Sequence, residues 1–151
     1  MISKPFGELA VGDRCVSHGR TITETDVVHF CMLTGTWLGL HCDAEFAKRT
    51  RFGQRVVQGS LIFAIANAQI PFDPEVVEAF QGVDRLYFLK PTFIGDTLCA
   101  HSELIRIEAR GKGGLATALL SAVNQRDETV MICEFTLRVR SERLTVGSQQ
   151  P

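Results

Sequence analysis

The segment GSLIFAIANAQI, at residues 59–70, leaves this chain few ways to fold, because almost every side of it is apolar. Its length, its alanines at positions 64, 66 and 68 and the proline at position 71 favour a helix over a buried strand. A helix that is apolar all round has to be covered on every side. We therefore expect a sheet to wrap around three sides of it, with a second subunit as the source of the remaining cover.

Four strand-like runs follow this helix and predict an antiparallel sheet. They are separated by short polar turns and span residues 83–89, 97–109, 115–125 and 129–140. In the last run, alternate residues are apolar and would face the core, namely Met131, Cys133, Phe135, Leu137 and Val139. Long consecutive strands joined by tight turns indicate a meander, in which each strand pairs with the next.

The beginning of the chain predicts one strand and one well-capped helix. Residues 14–22 alternate loosely, which indicates a strand that Gly19 bends. Thr23 and Asp26 have the spacing of a capping box, so a helix should follow Thr23 and end at Gly35. The predicted order is therefore one strand, a helical insert and four further strands. A curved antiparallel sheet around the apolar helix accommodates this order.

Shorter elements are predicted on either side of the apolar helix. Residues 35–42 show neither helical nor strand periodicity and predict a loop, after which Asp43 can cap a short basic helix. Asp73 and Pro74 have the places of a cap and a first-turn proline, and they predict a short helix that extends to Phe80.

The composition is that of one globular domain over residues 1–151, with a polar tail from about residue 141 that is expected to fray. A net charge of −1 gives no electrostatic reason to expect nucleic acid or membrane as a partner. No segment reaches the roughly 18 apolar residues of a membrane span, and no signal-peptide pattern opens the chain. The five cysteines are odd in number and widely spaced, which indicates reduced core thiols, no metal site and a cytoplasmic protein.

Two polar, glycine-containing segments suggest a reactive site. LTGTWLGLHCD holds His41, whose imidazole suits proton transfer near neutral pH. RFGQRVVQGSL leads through Gly59 into the apolar helix, whose first N–H groups are free to bind a negatively charged oxygen. Between them lies a basic cluster that could bind phosphates or form a solvated helix face, made up of Lys48, Arg49, Arg51 and Arg55.

Taken in order, four motifs resemble those of the MaoC-like hydratase family of the hot-dog fold. They are TITETDVVHF followed by LTG, the histidine-x-aspartate at residues 41–43, AEFAKRTRFGQRVVQGSL, and FLKPTFIGDTL. The resemblance covers about residues 8–140 and implies an α+β hot-dog fold, in which a five-stranded antiparallel sheet wraps around a central buried helix. It also implies a homodimer or higher homo-oligomer with its sites near the subunit contacts.

The same resemblance implies a substrate and a reaction. The family acts on acyl thioesters of coenzyme A or of acyl carrier protein. Coenzyme A or phosphopantetheine would therefore be part of the substrate, and no separate cofactor is expected. The usual reaction adds water to a trans-2-enoyl thioester or removes it from an (R)-3-hydroxyacyl thioester.

The sequence departs from the family pattern where this chemistry would be carried. The family has an aspartate directly after the loop glycine, then an asparagine, a proline and a histidine, and here these places hold Thr36, Leu38, Gly39 and His41. Gln58 stands where a histidine usually precedes Gly59. Thr36 cannot replace a carboxylate as a base, because its hydroxyl stays protonated. Only His41 and Gly59 carry over as catalytic candidates.

Three functions remain open on these residues. Hydration or dehydration of enoyl and 3-hydroxyacyl thioesters is the first expectation. Hydrolysis of the thioester needs only a base and an oxyanion hole, so His41 and Gly59 could suffice if Thr36 or Gln58 positioned the water. A non-catalytic subunit that supports an active partner would also fit the missing polar residues.

Five further residues are candidates for binding the substrate. Trp37 and Leu38 would either line a pocket for the acyl group or pack in the core. Ser60 would either cap the central helix or contact the pantetheine arm. Arg51 and Arg55 would bind the nucleotide phosphates through paired hydrogen bonds.

Overall fold

The central helix and the strands around it account for the architecture of residues 2–144, the part of the chain that the computed structural model describes. Within these residues the α-helices are Glu24–Thr34 (α1), Gly39–Cys42 (α2), Ala44–Lys48 (α3) and Gly59–Ala68 (α4), with a 3-10 turn at Phe6–Glu8. The strands are Arg14–Val16 (β1), Arg20–Thr21 (β2), Val77–Phe88 (β3), Thr97–Ala109 (β4), Gly114–Asn124 (β5) and Thr129–Val139 (β6).

The strands form one antiparallel sheet in the order β1, β4, β5, β6, β3. β2 also pairs with β4, next to β1 along the same edge, so β1 and β2 act as one bent edge strand. Gly19 lies at the bend, where a Cβ would come within 2.9 Å of a methyl carbon of Thr97. The predicted α+β fold, with five strand positions and a central helix, is confirmed.

The path of β3 differs from the prediction in two ways. The strand begins at Val77, so the predicted short helix at residues 73–80 is wrong. The Asp-Pro pair instead starts a turn, in which the carbonyl of Asp73 accepts hydrogen bonds from the N–H groups of Val76 (3.1 Å) and Val77 (2.9 Å). Pairing of β3 with β6 overrides the local cap signal. Because β3 lies beyond β6 and not beside β4, the predicted meander is limited to β4, β5 and β6.

The predicted capping box of α1 is confirmed. The hydroxyl of Thr23 accepts from the backbone N–H of Asp26 (3.2 Å), and the Asp26 carboxylate accepts from the backbone N–H of Thr23 (2.8 Å). Gly35 ends the helix with a φ of 73°, a left-handed conformation that favours glycine.

The predicted loop at residues 35–42 is wrong in its second half, because that half contains α2. The N–H groups of His41 and Cys42 both donate to the carbonyl of Leu38, which starts one helical turn. Gly39 permits the turn to lie against α3, since a Cβ there would meet the Phe46 ring at 3.0 Å. α3 itself begins as predicted, with the Asp43 carboxylate capping its first turn at 2.9 Å.

α4 packs one face against the sheet and leaves another exposed. Leu61, Ile62, Ile65 and Ala66 are buried, and each large aliphatic side chain contributes about 1.5–3 kcal/mol through its burial. Ala64 and Ala68, on the other side of the helix, are exposed. The sheet therefore covers only part of the apolar helix within one chain.

The cysteines agree with the prediction only in part. All five cysteines are free thiols, and Cys31 and Cys133 are buried as predicted, whereas Cys42 is exposed and is not a core thiol. Burial raises the pKa of the Cys133 thiol to about 11, so this thiol stays protonated at neutral pH. None of the helices in residues 2–144 is long and apolar enough to cross a membrane.

The start of the predicted polar tail is held against the body of the protein. The Arg143 guanidinium donates to the backbone carbonyl of Ser3 (2.6 Å) and contacts the carboxylates of Asp73 and Glu75. The remainder of the predicted tail lies outside the described residues.

A buried carboxylate braces the turn that leads into β4. Asp96 is only 5% exposed, and its carboxylate accepts hydrogen bonds from the Phe93 N–H (2.9 Å), Gln125 (2.6 Å) and Arg126 (3.0 Å). Burial by itself raises the pKa of this carboxyl, but the three donors outweigh it and hold the pKa below its usual range.

Replacing Asp96 by asparagine should lower the free energy of unfolding by about 1–3 kcal/mol at pH 7, because a buried charged acceptor is lost. The depressed pKa means that the wild-type contribution is present above the unfolded-state pKa of about 3.9 and is lost as the pH falls below it. Urea denaturation should therefore show a difference that shrinks between pH 7 and pH 3.

The matched control is Asp84→Asn, which changes an exposed carboxylate on β3 and should alter the free energy of unfolding by less than about 0.5 kcal/mol. A difference between Asp96→Asn and wild type that stays constant across this pH range would contradict the proposed role of the charge.

Candidate active site

A cavity of about 270 Å³ opens at the N-terminal end of α4, and we call it the Gly59 cavity. One wall comes from the entry to α4 and its first turn, namely Val56, Val57, Gly59 and Ile62. The other wall comes from the end of β3 and the segment after it, residues 88–92, and Arg51 and Phe52 complete the lining. The cavity is apolar except for one buried hydroxyl, a helix N-terminus and two cationic side chains.

Gly59 lies against the aromatic ring of Phe88, which occupies the space that a side chain at residue 59 would need. A Cβ on residue 59 would lie 2.6 Å from Cε2 of that ring, well inside van der Waals contact. The side chain of Phe88 is 46% exposed, so the ring forms a wall of the cavity instead of belonging to the core. The glycine therefore has a packing role that is separate from any role of its N–H group.

The first N–H groups of α4 are not capped by a side chain. Gln58 is the N-cap residue and makes no side-chain hydrogen bond to the helix, and the first helical bond runs from the Ile62 N–H to the Gln58 carbonyl (3.1 Å). Ser60 is the second residue of the helix and is exposed, so the prediction that it caps the helix is wrong. Uncapped N–H groups at a helix N-terminus are suited to binding a negatively charged oxygen.

His41 is attached to the wall of the Gly59 cavity through Val56. Its Nδ1 lies 2.8 Å from the Val56 carbonyl oxygen, which can only accept, so Nδ1 carries the proton. In the neutral ring, Nε2 then has a free lone pair, and the described residues give it no hydrogen-bond partner. This tautomer makes His41 a potential base, although its side chain is not among the residues that line the cavity.

The hydroxyl of Thr36 is engaged by a neighbouring threonine. Thr34 Oγ1 lies 2.7 Å from Thr36 Oγ1 and donates its own proton to the Phe30 carbonyl at 2.6 Å. Thr36 must therefore donate in this pair, because each hydroxyl has one proton. Thr36 keeps acceptor capacity for a water molecule, but it has no proton left to donate to one.

Gln58 is directed into the protein and away from a solvent-filled site. Its side chain is 3% exposed, and its Nε2 donates to the sulfur of Cys31 (3.0 Å) and to the Val27 carbonyl (3.4 Å). Cys31 in turn donates to the backbone carbonyl of Thr36 at 3.3 Å. These contacts connect the N-cap of α4 to α1 and to the loop that follows it.

Trp37 and Leu38 are exposed within the single chain, by 53% and 61%. Met32 and Leu33, at the end of α1, are also exposed, by 66% and 84%. The core-packing interpretation of Trp37 and Leu38 is therefore wrong for one chain. These four exposed apolar side chains lie at the end of α1 and in the loop that carries Thr36.

The basic cluster predicted from the sequence is divided between two environments. Arg51 is exposed, lines the Gly59 cavity and lies 4.8 Å from the ring centre of Phe52. Arg55 instead forms a two-pronged ion pair with Glu24, which raises the pKa of Arg55 and lowers that of Glu24. Arg55 lines a separate, smaller cavity of about 190 Å³.

Most residues that line the Gly59 cavity were not predicted as site residues from the sequence, and Phe88, Lys90 and Thr92 are among them. All three belong to FLKPTFIGDTL, one of the four motifs that resemble the MaoC-like family. Lys90 forms an ion pair with Glu128 at 2.6 Å. The isolated pairing of Val56 with Phe93 is what brings this distant segment beside α4.

Comparisons with known proteins identify the family. The family described as a MaoC like domain matches residues 9–124. The chain belongs to this family. Protein MaoC of Klebsiella aerogenes is 38% identical over 96 residues, which are 63% of this chain and 29% of that protein. The MaoC-like chain thus spans less than a third of the length of this curated relative.

Solved structures agree with the MaoC-like assignment. A monoamine oxidase regulatory protein from Archaeoglobus fulgidus superimposes with a TM-score of 0.88 and 34% identity, covering 94% of this chain and 99% of that one. The unliganded R-hydratase PhaJ1 from Pseudomonas aeruginosa gives a TM-score of 0.77 and 26% identity, covering 97% and 94%. The architecture is the hot-dog fold.

The packing role of Gly59 can be tested by stability. Gly59→Ala keeps the N–H group but places a Cβ against Phe88, so it should lower the free energy of unfolding by about 1–3 kcal/mol. Adding Phe88→Ala removes the ring, and in that background Gly59→Ala should cost less than about 0.5 kcal/mol. Equal costs in the two backgrounds, measured by urea denaturation, would contradict the steric explanation.

The Phe88→Ala background also allows the role of the backbone N–H of residue 59 to be tested separately from the packing role. Proline is favoured at the first helical position, and Gln58 has a ψ of 134°, which suits a residue before proline. Two double variants can be compared, in which Phe88→Ala is combined with either Gly59→Pro or Gly59→Ala. Both have a Cβ at residue 59, but only the proline variant lacks the backbone N–H. If that N–H binds an oxyanion, turnover of a thioester should be about 10²–10³ lower in the proline variant, and equal rates would remove Gly59 from this role.

Proposed function

We propose that this MaoC-like domain acts on acyl thioesters of coenzyme A or acyl carrier protein, and that it adds water to enoyl thioesters or removes it from 3-hydroxyacyl thioesters. The observation that carries the proposal is the hydrogen bond from His41 Nδ1 to the Val56 carbonyl. It presents an unprotonated Nε2 from a residue that is attached to the wall of the Gly59 cavity. The similarity to an R-hydratase supports the same class of reaction.

The arrangement supports hydration with one imidazole. Water would add to the β-carbon of the enoyl group, and its proton would pass to Nε2 of His41. The electron pair of the double bond would move toward the thioester oxygen, where uncapped N–H groups of α4 would stabilise the enolate. The imidazolium would then protonate the α-carbon, which returns His41 to its neutral form. Dehydration is the reverse sequence.

Thioester hydrolysis is the second candidate, and the environment of Thr36 favours it. The Thr36 hydroxyl donates its own proton to Thr34. It can therefore accept a hydrogen bond from a water molecule, but it cannot act as the base that deprotonates this water. Hydrolysis would need only His41 to activate that water and α4 to bind the oxyanion. Gln58 is a weak candidate for positioning the water, since its amide donates to Cys31.

The non-catalytic role remains the third candidate. A subunit that supports an active partner would need the fold and an assembly surface but no working base. The exposed apolar side chains at the end of α1 and in the following loop would serve such a surface as well as they would an acyl pocket, namely Met32, Leu33, Trp37 and Leu38.

We assign the phosphate-binding role to the cations at the Gly59 cavity. Arg51 lines the cavity and is exposed, so its guanidinium is available to a nucleotide phosphate. Lys90 lies on the facing wall, but it would have to leave its ion pair with Glu128 before it could bind a phosphate. Arg55 would have to leave its pair with Glu24 before it could bind a phosphate, which makes it the weaker of the two predicted arginines.

We also propose that the protein forms a homodimer or higher homo-oligomer. β3 pairs with β6 on one side, and among the described residues no strand pairs with its other side. Its exposed large apolar side chains include Phe80, Leu86, Tyr87 and Phe88, followed by Leu89. A second copy on this edge would cover them and would close the Gly59 cavity, because Phe88 belongs to both surfaces.

One assay distinguishes the three functions. Crotonyl, 3-hydroxybutyryl and butyryl thioesters of coenzyme A would be offered in turn, with enoyl absorbance and free thiol followed separately. The proposal expects a change in enoyl absorbance without thiol release. Thiol release with no change at the double bond would instead indicate a thioesterase, and no reaction on any substrate would support the accessory role.

His41→Ala should lower the rate of that reaction by about 10²–10⁴, the range that general acid–base catalysis contributes. His29→Ala is the matched control, because His29 is an exposed histidine on α1 away from the cavity, and its rate should equal that of wild type. An unchanged rate in His41→Ala would remove this residue from the catalytic site.

A further inference from the structure

One of the residues that line the Gly59 cavity, Thr92, has a buried hydroxyl without a partner in the described part of the chain. Thr92 is 1% exposed and lines the cavity, and its Oγ1 makes no hydrogen bond within residues 2–144. Buried polar groups in native proteins are nearly always paired, and an unpaired one is unfavourable for folding. A valine would have the same shape without this disadvantage, so the hydroxyl points to a partner that the protein alone does not provide.

The position of this hydroxyl is set by the backbone. The Thr92 carbonyl accepts a hydrogen bond from the Val57 N–H at 2.8 Å, and the neighbouring Phe93 pairs with Val56. Val57 lies two residues before Gly59, and Thr92 and Gly59 line the same cavity, so Thr92 is held on the same side of the protein as the uncapped N-terminus of α4. Rotation about χ1 is the remaining freedom of the Thr92 side chain.

Two polar features without a partner among the described residues therefore belong to the lining of the same cavity. The N–H groups of α4 can only donate, which suits the oxygen of a thioester. The Thr92 hydroxyl can both donate and accept, which suits an amide. In a coenzyme A or phosphopantetheine thioester, an amide follows the sulfur after two methylene groups. The rest of the lining nearby is apolar, with Ile62, Phe88 and Pro91, and suits those methylenes.

We propose that Thr92 is a substrate-binding residue whose hydroxyl hydrogen-bonds the pantetheine amide next to the thioester. The assignment rests on the proposed thioester substrate but not on which reaction follows. It predicts that the hydroxyl contributes to affinity and does not contribute to the stability of the free protein.

The test compares Thr92→Val with Thr92→Ser and with Thr117→Val. Thr117 is also buried, but its hydroxyl is bonded to Thr136 (2.9 Å) and Arg106 (3.3 Å), and it lies outside the Gly59 cavity. Thr92→Val should unfold at the same temperature as wild type or a higher one, and Thr117→Val at a lower one. The dissociation constant of butyryl-coenzyme A should rise about tenfold in Thr92→Val and should stay at the wild-type value in Thr117→Val. Thr92→Ser should bind as wild type does.

Truncated thioesters identify the group that is bound. S-Butyryl-N-acetylcysteamine keeps the amide and S-ethyl thiobutyrate lacks it, and both can be measured as competitors of butyryl-coenzyme A. Thr92→Val should weaken the first about tenfold and leave the second unchanged. Equal weakening of both would overturn the amide assignment, and an unchanged dissociation constant for butyryl-coenzyme A would overturn the role of Thr92.

These outcomes are separate from the fate of the proposed reaction. If the wild-type protein binds butyryl-coenzyme A but neither hydrates nor hydrolyses thioesters, the reaction is wrong and the Thr92 comparison still decides the binding role. If the wild-type protein binds no thioester, the proposed substrate is wrong and the assignment of Thr92 falls with it.

Discussion

Hydrogen bonds of two consecutive residues, Val56 and Val57, hold the three parts of the candidate site together. The Val56 carbonyl accepts a hydrogen bond from the His41 ring, and the Val56 N–H donates to the Leu40 carbonyl. The Val57 N–H donates to the Thr92 carbonyl. Both valines are buried, so these bonds are shielded from water. The loop with the histidine, the entry to α4 and the segment after β3 therefore meet at one short extended stretch, and the Gly59 cavity exists because they do.

The glycine at the start of α4 has two explanations that sequence comparison alone cannot separate. A family motif associates it with binding an oxyanion through its N–H group. In this structure the glycine also leaves room for the ring of Phe88, which a Cβ would force to shift. The two roles differ physically, since one concerns a backbone donor and the other the absence of a side chain, and different substitutions affect them.

Gln58, Cys31, Thr36 and Thr34 are linked by one series of hydrogen bonds. Gln58 donates to Cys31, Cys31 donates to the carbonyl of Thr36, and the Thr36 hydroxyl bonds to Thr34. These bonds connect α1, the loop that follows it and the N-cap of α4. This arrangement leaves His41 as the ionisable side chain attached to the cavity wall through Val56, which is why the proposed hydration assigns both proton transfers to it.

Local sequence patterns accounted well for elements whose signals lie close together in the chain. The capping box of Thr23 and Asp26, the cap at Asp43 and the alternation of β6 depend on spacings of two to four residues, and all three are present. The apolar helix followed from composition, and the α+β arrangement followed from the order of elements. His41 and Gly59 came from short motifs, and the structure places both at or beside one cavity.

Tertiary contacts decided what those patterns could not. The Asp-Pro signal at residue 73 was overridden because pairing with β6 stabilises an extended chain from Val77 onward. Phe88, Lys90 and Thr92 joined the site through pairing of Val56 with Phe93, a contact between segments far apart in sequence. Arg51 and Arg55 look equivalent in the sequence, yet Glu24 engages only Arg55. Periodicity and caps report on neighbours along the chain, whereas a cavity is formed by residues that only folding brings together.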